Sequence, residues 1–323
     1  MLAGRKGKLR MKIDVIIPVY KPEKRFLELI SRLEKQTLKP NRIIIMNTEE
    51  KYFEALLYGT DFAREHPNAE VHHLSKWEFN HGGTRNDGAA RSTGDIFVCM
   101  TQDALPADNR LLEELTAALS AEEDIAVSYA RQLPEKDSGE IEKYTRQFNY
   151  PEESRIKGKE DLPILGIKTF FCSNVCAAWR RDKYLELGGF VKRTIFNEDM
   201  IYAGTIVKKG GKIAYCADAQ VVHSHNYSAL EQFHRNFDLA VSQTMHPEIF
   251  GGIRSESEGI RLVKKSLSYC IRIGKPWLMI QVVTQSAGKL LGYKLGQRYE
   301  RLPEKVILAC TMNRKFWEKE ENL

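Results

Sequence analysis

Three short apolar runs separated by two helix-patterned stretches, all between Ile13 and Leu74, restrict most strongly how this chain can fold. Ile13-Asp14-Val15-Ile16-Ile17-Pro18-Val19-Tyr20 has the near-continuous, β-branched character of a strand buried on both faces, with Pro18 as its stop. Lys21-Pro22-Glu23 opens a helix to about Lys35, with Leu27, Ile30 and Leu33 at helical spacing, and Pro40 closes the region. Arg42 to Asn47 is the next strand, Phe53 to Glu65 reads as one helix, and Glu70 to Leu74 as a third strand. This alternation predicts a doubly wound sheet of parallel strands. No GxGxxG follows the first strand, so a dinucleotide-binding domain of the usual kind is not supported.

A parallel sheet collects ligands outside the carboxyl ends of its strands. Ile96 to Met100 is another buried-strand run; it stops at Thr101-Gln102-Asp103, and Pro106 prevents a simple continuation. Asp103 is there either as a turn cap or as a ligand holder. Upstream, Phe79 to Gly94 reads as a glycine-rich turn at Gly82-Gly83, then a helix capped by Thr84 or Asn86 and ended by Gly94. Its amino end would favour an anion, and the Arg85 fork suits phosphate; the plainer alternative is a turn with a surface arginine. A helix from about Asn109 to Ser120 and a strand at Ile125 to Tyr129 follow. Residues 133–161 are polar and charged, with Pro134, Pro151 and Gly158, and read as a long mobile insertion of the kind used as a lid or acceptor-binding element. Asn197 is a candidate helix N-cap with Glu198 and Asp199 in the first turn. Capping alone, or a carboxylate pair facing a cleft with one member a general base, would explain them. Ala219 to Tyr227 reads as a strand ending in His223 and His225, which at i and i+2 point the same way.

A length of 323 residues suits one α/β domain with an appended helical region. The net charge of +6 is modest, and nucleic-acid binding would need clustered basic residues with stacking aromatics, so no nucleic acid is expected as a partner. The densest cluster, Arg5 to Lys12, reads as a disordered arm or a weak tether to acidic lipid and not as a signal peptide. No apolar run reaches the roughly 18 residues a spanning helix needs. The six cysteines form no CxxC pair and read as reduced, buried thiols of a cytosolic protein. From Leu230 onward the pattern is helical. Lys289, Lys294, Arg298 and Arg301 lie among Leu290, Leu291, Tyr293 and Leu295, which fits a helix lying on a membrane or one packed on the catalytic domain.

Four pieces in order, Val15-Ile-Ile-Pro18-Val-Tyr20, Gly82-Gly-Thr-Arg-Asn86, Thr101-Gln-Asp103-Ala-Leu-Pro106 and Asn197-Glu-Asp199, make residues 12–230 resemble the family 2 glycosyltransferases, in their rhamnosyltransferase-like branch. The resemblance implies a GT-A fold: an α/β, Rossmann-like, mostly parallel central sheet with flanking helices. Here it would lie between a basic arm at 1–11 and a helical extension at 231–323. It implies inverting transfer of a sugar from a nucleoside-diphosphate sugar (dTDP-rhamnose or a UDP-sugar) to a glycan or lipid-linked cell-envelope acceptor. Asp103 matches the last Asp of the family's DxD motif, with Thr101 where the first would stand. By resemblance Asp103 holds Mg²⁺ or Mn²⁺ with His223, and Asp199 is the base that Glu198 orients. Pro18, Tyr20, Glu23, Arg85, Asn86 and Gln102 would contact the donor, and Asn47 would stand in for the family's acidic base contact. The expected location is the cytoplasm, with peripheral contact at the inner face of the plasma membrane. The alternative reading is a non-catalytic nucleotide-sugar or glycan-binding protein on the same fold. A nucleotidyltransferase ranks lower, because Tyr20-Lys-Pro-Glu23 offers no glycine-rich loop after the first strand.

Overall fold

The structure, a computed structural model, describes residues 11–253 and 256–318; most of the basic arm lies outside them. The first strand, β1, is Ile13–Tyr20, followed by α1 Lys24–Glu34 and β2 Arg42–Thr48. Two short helices, α2 Glu50–Leu57 and α3 Phe62–Glu65, precede β3 Ala69–Leu74, α4 His81–Arg91 and β4 Ile96–Met100. The chain continues through β5 Leu105–Pro106, α5 Leu111–Leu119, β6 Ile125–Leu133, α6 Glu140–Asn149, β7 Arg155–Lys157 and α7 Leu162–Leu165. Next come β8 Cys176–Arg180, α8 Arg181–Glu186, α9 Glu198–Lys208 and β9 Lys212–Val222. Five helices close it: α10 Ala229–Met245, α11 Pro247–Phe250, α12 Glu256–Arg272, α13 Leu278–Gly296 and α14 Glu304–Cys310.

One sheet runs in the order β3-β2-β1-β4-β8-β6-β9-β5, with β7 on β9. Its amino-terminal half, β3-β2-β1-β4, is parallel; β8 then enters antiparallel between β4 and β6. Leu29, Ile30 and Leu33 of α1 pack on one face with Leu112 and Leu115 of α5. Ala89, Tyr184 and residues of α9 cover the other. Burial on both faces explains why the central strands carry almost no alternation. The exception is Asp14, fully buried, whose carboxylate accepts from Asn41 Nδ2 (2.9 Å), Ser92 Oγ (2.8 Å) and the backbone N–H groups of Thr93 and Gly94 (both 2.9 Å).

Several local expectations are corrected. Pro18 does not end β1. Pairing to β4 stops at Ile16 and Cys99, so the proline's missing N–H faces an edge already vacated by β4. The helix expected over Phe53 to Glu65 is broken at Gly59, whose φ of +81° takes the chain out of α2. The glycine-rich turn is instead helical. Asn80 caps α4 by accepting from Gly83 N, and Gly82 lies so close to the next loop that a Cβ there would meet Val191 O at 1.9 Å. Gly94 is not the C-terminal glycine of α4, which ends at Arg91; it belongs to the turn held by Asp14. Residues 133–161 are not a structureless insertion. They contain α6 and β7, and α6 is gripped by the C-terminal helices: Ile141 packs with Cys270 and Val282, Tyr144 stacks on Tyr269 (4.2 Å), and Lys275 pairs with Glu140 (3.0 Å).

The C-terminal helices are held by a glycine stripe. Cβ atoms on Gly288, Gly292 and Gly296 of α13 would fall 2.4, 2.1 and 2.3 Å from the carbonyl oxygens of Ala229, Phe233 and Phe237 of α10. Both series ascend together, so the two helices run parallel at a spacing only glycine permits. All six cysteines are free and buried.

Candidate active site

The carboxyl ends of β1 and β4, the amino ends of α4 and α9, and the segment after β9 surround a cleft of about 530 Å³. β4 stops at Met100, and the side chain of Gln102 takes over its role. Gln102 Oε1 accepts from Tyr20 N (2.9 Å) and its Nε2 donates to Tyr20 O (3.0 Å), a side-chain copy of a strand pairing. This fixes the turn that carries Asp103. Tyr20, 39% exposed, meets Tyr52 edge-on, with the Lys21 ammonium 5.3 and 5.1 Å from the two ring centres.

Asp103 faces both histidines: Oδ2 lies 3.5 Å from Nε2 of His223 and 3.5 Å from Nε2 of His225. The ligand atoms of all three lie within 4.8 Å of one another. The tautomer of His223 follows from its neighbours. Arg146 can only donate, and it donates to Gln132 Oε1, so that oxygen is an acceptor. His223 Nδ1, 3.1 Å from the same oxygen, therefore carries its proton, and Nε2 presents a lone pair towards Asp103. Burial pushes the pKa of His223 down to about 3, which keeps the ring neutral. One carboxylate and two neutral imidazoles suit a divalent first-row cation; an all-oxygen shell, the preference of Mg²⁺, is not what these side chains supply.

Across the cleft, Glu198 and Asp199 open α9. Asn197 precedes them in the left-handed region (φ +64°), which asparagine tolerates, and its side chain makes no capping bond. Glu198 is buried, 3.1 Å from Arg85 Nη1, and accepts from Asn174 Nδ2 at 3.2 Å. Burial alone would raise its pKa; Arg85, then His81 and Asn174, outweigh it and hold Glu198 below the ordinary carboxylate range. Asp199 is half-buried and accepts from the backbone N–H groups of Asn174 (2.9 Å) and Met200 (2.8 Å). Burial first, and the charge of Glu198 second, push its pKa up to about 7. Two adjacent carboxylates are thus driven apart in acidity by their surroundings. Arg85 Nε and Asn197 Nδ2, both on cleft-lining residues, are buried with no hydrogen-bond partner among the described residues.

Pro18, Tyr20, Arg85, Gln102, Asp103, Glu198, Asp199 and His223 share this cleft; three expected donor contacts do not line it. Asn86 is spent on the turn after α8: its Oδ1 accepts from Tyr184 Oη and Phe190 N, and its Nδ2 donates to Phe190 O (2.9 Å). Glu23 is exposed at the N-cap of α1, and its backbone carbonyl accepts from Phe26 N. Asn47 is fully buried behind the cleft, bonded through Nδ2 to His73 Nδ1 (2.9 Å), with no partner for Oδ1 among the described residues. Asn174, Tyr52, Gln132 and Arg146 also border or approach the cleft, and sequence assigns none of them a role. Only Asn174 left a signal there, as a polar residue inside the apolar run Phe170 to Trp179.

The profile of Glycosyl transferase family 2 matches residues 14–188. The O-antigen chain rhamnosyltransferase RfbN of Salmonella typhimurium (strain LT2) is 37% identical over 95% of this chain and 96% of its own length. WbaN of Salmonella anatum, another O-antigen chain rhamnosyltransferase, is 37% identical over 94% and 95%. In fold, the chain is similar to the mannosyltransferase PcManGT of Pyrobaculum calidifontis, solved with GDP-Man and Mn²⁺ (TM-score 0.52, 16% identity, 96% of this chain and 84% of that one). It is likewise similar to S. aureus TarS 1–349 with UDP-GlcNAc (TM-score 0.51, 15% identity, 90% and 92%). The chain is a glycosyltransferase with a GT-A-like α/β fold and a helical C-terminal region, and it belongs to glycosyltransferase family 2.

Proposed function

We propose that the protein transfers rhamnose from dTDP-rhamnose to a glycan or lipid-linked acceptor of a cell-envelope polysaccharide, with inversion at the anomeric carbon. The observation that carries the chemistry is Asp199, a half-buried carboxyl with its pKa raised to about 7, in the same cleft as the Asp103–histidine cluster. Asp199 takes the proton of the acceptor hydroxyl as that oxygen attacks the anomeric carbon in line. The new carbon–oxygen bond forms as the bond to the donor phosphate breaks, and the nucleoside diphosphate leaves with the electron pair. A base so placed contributes roughly 10²–10⁴-fold. Asp103, His223 and His225 would hold Mn²⁺ in preference to Mg²⁺, and the cation supplies Lewis-acid stabilisation of the departing diphosphate. Tyr20 and Tyr52 offer aromatic surface to the nucleotide base. The sugar is supported by the two relatives of near-equal length, both O-antigen chain rhamnosyltransferases; the dTDP carrier rests on the resemblance of the sequence motifs alone.

A panel of nucleotide sugars, each with Mn²⁺ or Mg²⁺, tests this through thermal stabilisation of the protein. dTDP-rhamnose with Mn²⁺ is expected to give the largest shift, lost in Asp103→Ala; a larger shift with another donor would overturn the assignment. We also propose peripheral contact with anionic membranes. Trp277, Ile280, Val283, Leu290 and Leu291, beside or on α13, expose their side chains near the exposed Lys294 and Arg298. Among the described residues no helix is long and apolar enough to cross a membrane. Co-sedimentation with anionic but not neutral liposomes is expected; equal or absent binding to both would refute the contact.

A further inference from the structure

A second cavity, of about 680 Å³, opens beside the cleft between α6, the start of α10 and α13. Arg146, Tyr150, Phe171, His225, Tyr227 and Arg235 border both spaces, so one ligand can extend from the cleft into this cavity. α13 presents Gln281, Thr284, Gln285 and Lys289 to it, a single stripe at i, i+3, i+4 and i+8. α6 faces it with Thr145 and Asn149. Carboxamides and hydroxyls beside the aromatic faces of Tyr150 and Tyr227 suit a sugar, with its hydroxyl edges and apolar ring face.

The charges add a second requirement. Three cations line the cavity, Arg146, Arg235 and Lys289, against one carboxylate, Glu142. Arg146 is committed to Glu142 (2.6 Å) and Gln132, and Arg235 lies over the rings of Phe196 (4.6 Å) and Tyr227 (5.5 Å). Lys289 is half-buried and makes no hydrogen bond or ion pair with any described residue. Burial pushes the pKa of its ammonium down, and the Glu142 carboxylate, already shared with Arg146, offsets this only in part. Such a charge is stabilised when an anion arrives.

We infer that this cavity is an acceptor subsite for a glycosyl phosphate or diphosphate, in which Lys289 and Arg235 read the anion and the polar stripe of α13 reads the sugar. The inference rests on the transferase reading of the adjoining cleft and extends it. The C-terminal helices then select the acceptor, and the carboxyl end of the chain belongs to the site.

Equilibrium binding to the full chain, without donor or divalent cation, tests this. The probes are a hexose 1-diphosphate bearing a short prenyl tail, the same hexose as a neutral alkyl glycoside, and inorganic diphosphate. The glycosyl diphosphate is expected to bind about tenfold or more tightly than either of the others. Lys289→Met should erase most of that preference and Lys289→Arg should keep it. Thr284→Trp, which fills the cavity, should weaken both sugar probes. Equal affinity for the charged and neutral glycosides, or a preference untouched by Lys289→Met and Thr284→Trp, would overturn the assignment. Inorganic diphosphate binding as tightly as the glycosyl diphosphate would reduce the cavity to a bare anion site and also overturn it. Binding requires no turnover, so absence of sugar transfer in the same preparation would count against the donor and reaction proposed above and leave this result readable.

Discussion

The two sides of the cleft are built by different means. The side made by β1 and β4 depends on main-chain geometry: strands end, a glutamine side chain imitates one more strand pairing, and Asp103 follows in a fixed turn. The side made by α6, α10 and α13 depends on packing between segments far apart in sequence, such as Ile141 with Cys270 and Val282, and on glycines that let two helix backbones touch. α9 sits between them, and its two carboxylates answer to both sides. The chemistry is thus anchored in the local, strand-end half. Recognition of what is glycosylated is left to the half assembled over long range.

The largest expected effect lies at the junction. Asp199→Asn should lower the transfer rate roughly 10²–10⁴-fold. In the wild type, kcat/KM should rise with pH up to about 7, as the carboxyl ionises, and the variant should lose this limb. The stability effect has the opposite sense. The folded-state pKa lies above the ordinary value of 3.8, so Asp199 contributes stability below about 4 that is lost as pH rises towards 7. Asp199→Asn should therefore melt higher than wild type at pH 8 and lose that advantage at low pH. A variant that keeps the wild-type pH–rate profile would remove Asp199 from the chemistry.

Next in size is the buried ion pair that ties the strand-end half to α9. Arg85→Met leaves Glu198 uncompensated and should cost about 3–5 kcal/mol in urea unfolding. The double variant Arg85→Met/Glu198→Gln should recover most of it. A loss in the single variant no larger than that of an exposed pair would mean that α9 is held by packing alone. The smallest effect is expected in the long-range half. Gly292→Val forces α13 away from Phe233 and should cost about 1–3 kcal/mol. Acceptor KM should rise with donor KM unmoved; equal shifts in both would show that the two halves are not separable.

The same division explains what the sequence could tell. The strands from Ile13 to Met100 were legible because double-sided burial writes continuous apolar runs. Asp103, His223, Glu198 and Asp199 stand at element ends, where polar residues interrupt those runs, and they share one cleft. Pro18 and Gly82 mislead in sequence because their tolerance depends on neighbours, a vacated strand edge and a loop carbonyl, that no local pattern encodes. Asn86 looked like a ligand contact because the residue type suits one, whereas its real partners lie about a hundred positions downstream. The sequence of α6 reads as loose chain because the surface it buries, Ile141 and Tyr144, is covered by residues beyond 260. Residues 288–296 carried a visible glycine spacing whose meaning required α10 to be in place.

That spacing sets how acceptor preference can change over time. With Gly288, Gly292 and Gly296 against three carbonyl oxygens, α10 and α13 are already in backbone contact and leave no room for a side chain between them, so α13 holds one position beside the cavity. A descendant that accepts a bulkier or differently charged glycan cannot obtain it by sliding the helices. It must exchange the residues at 281, 284, 285 and 289, which are free of that contact. New acceptor ranges should therefore arise by substitution along one stripe, on a frame that stays constant.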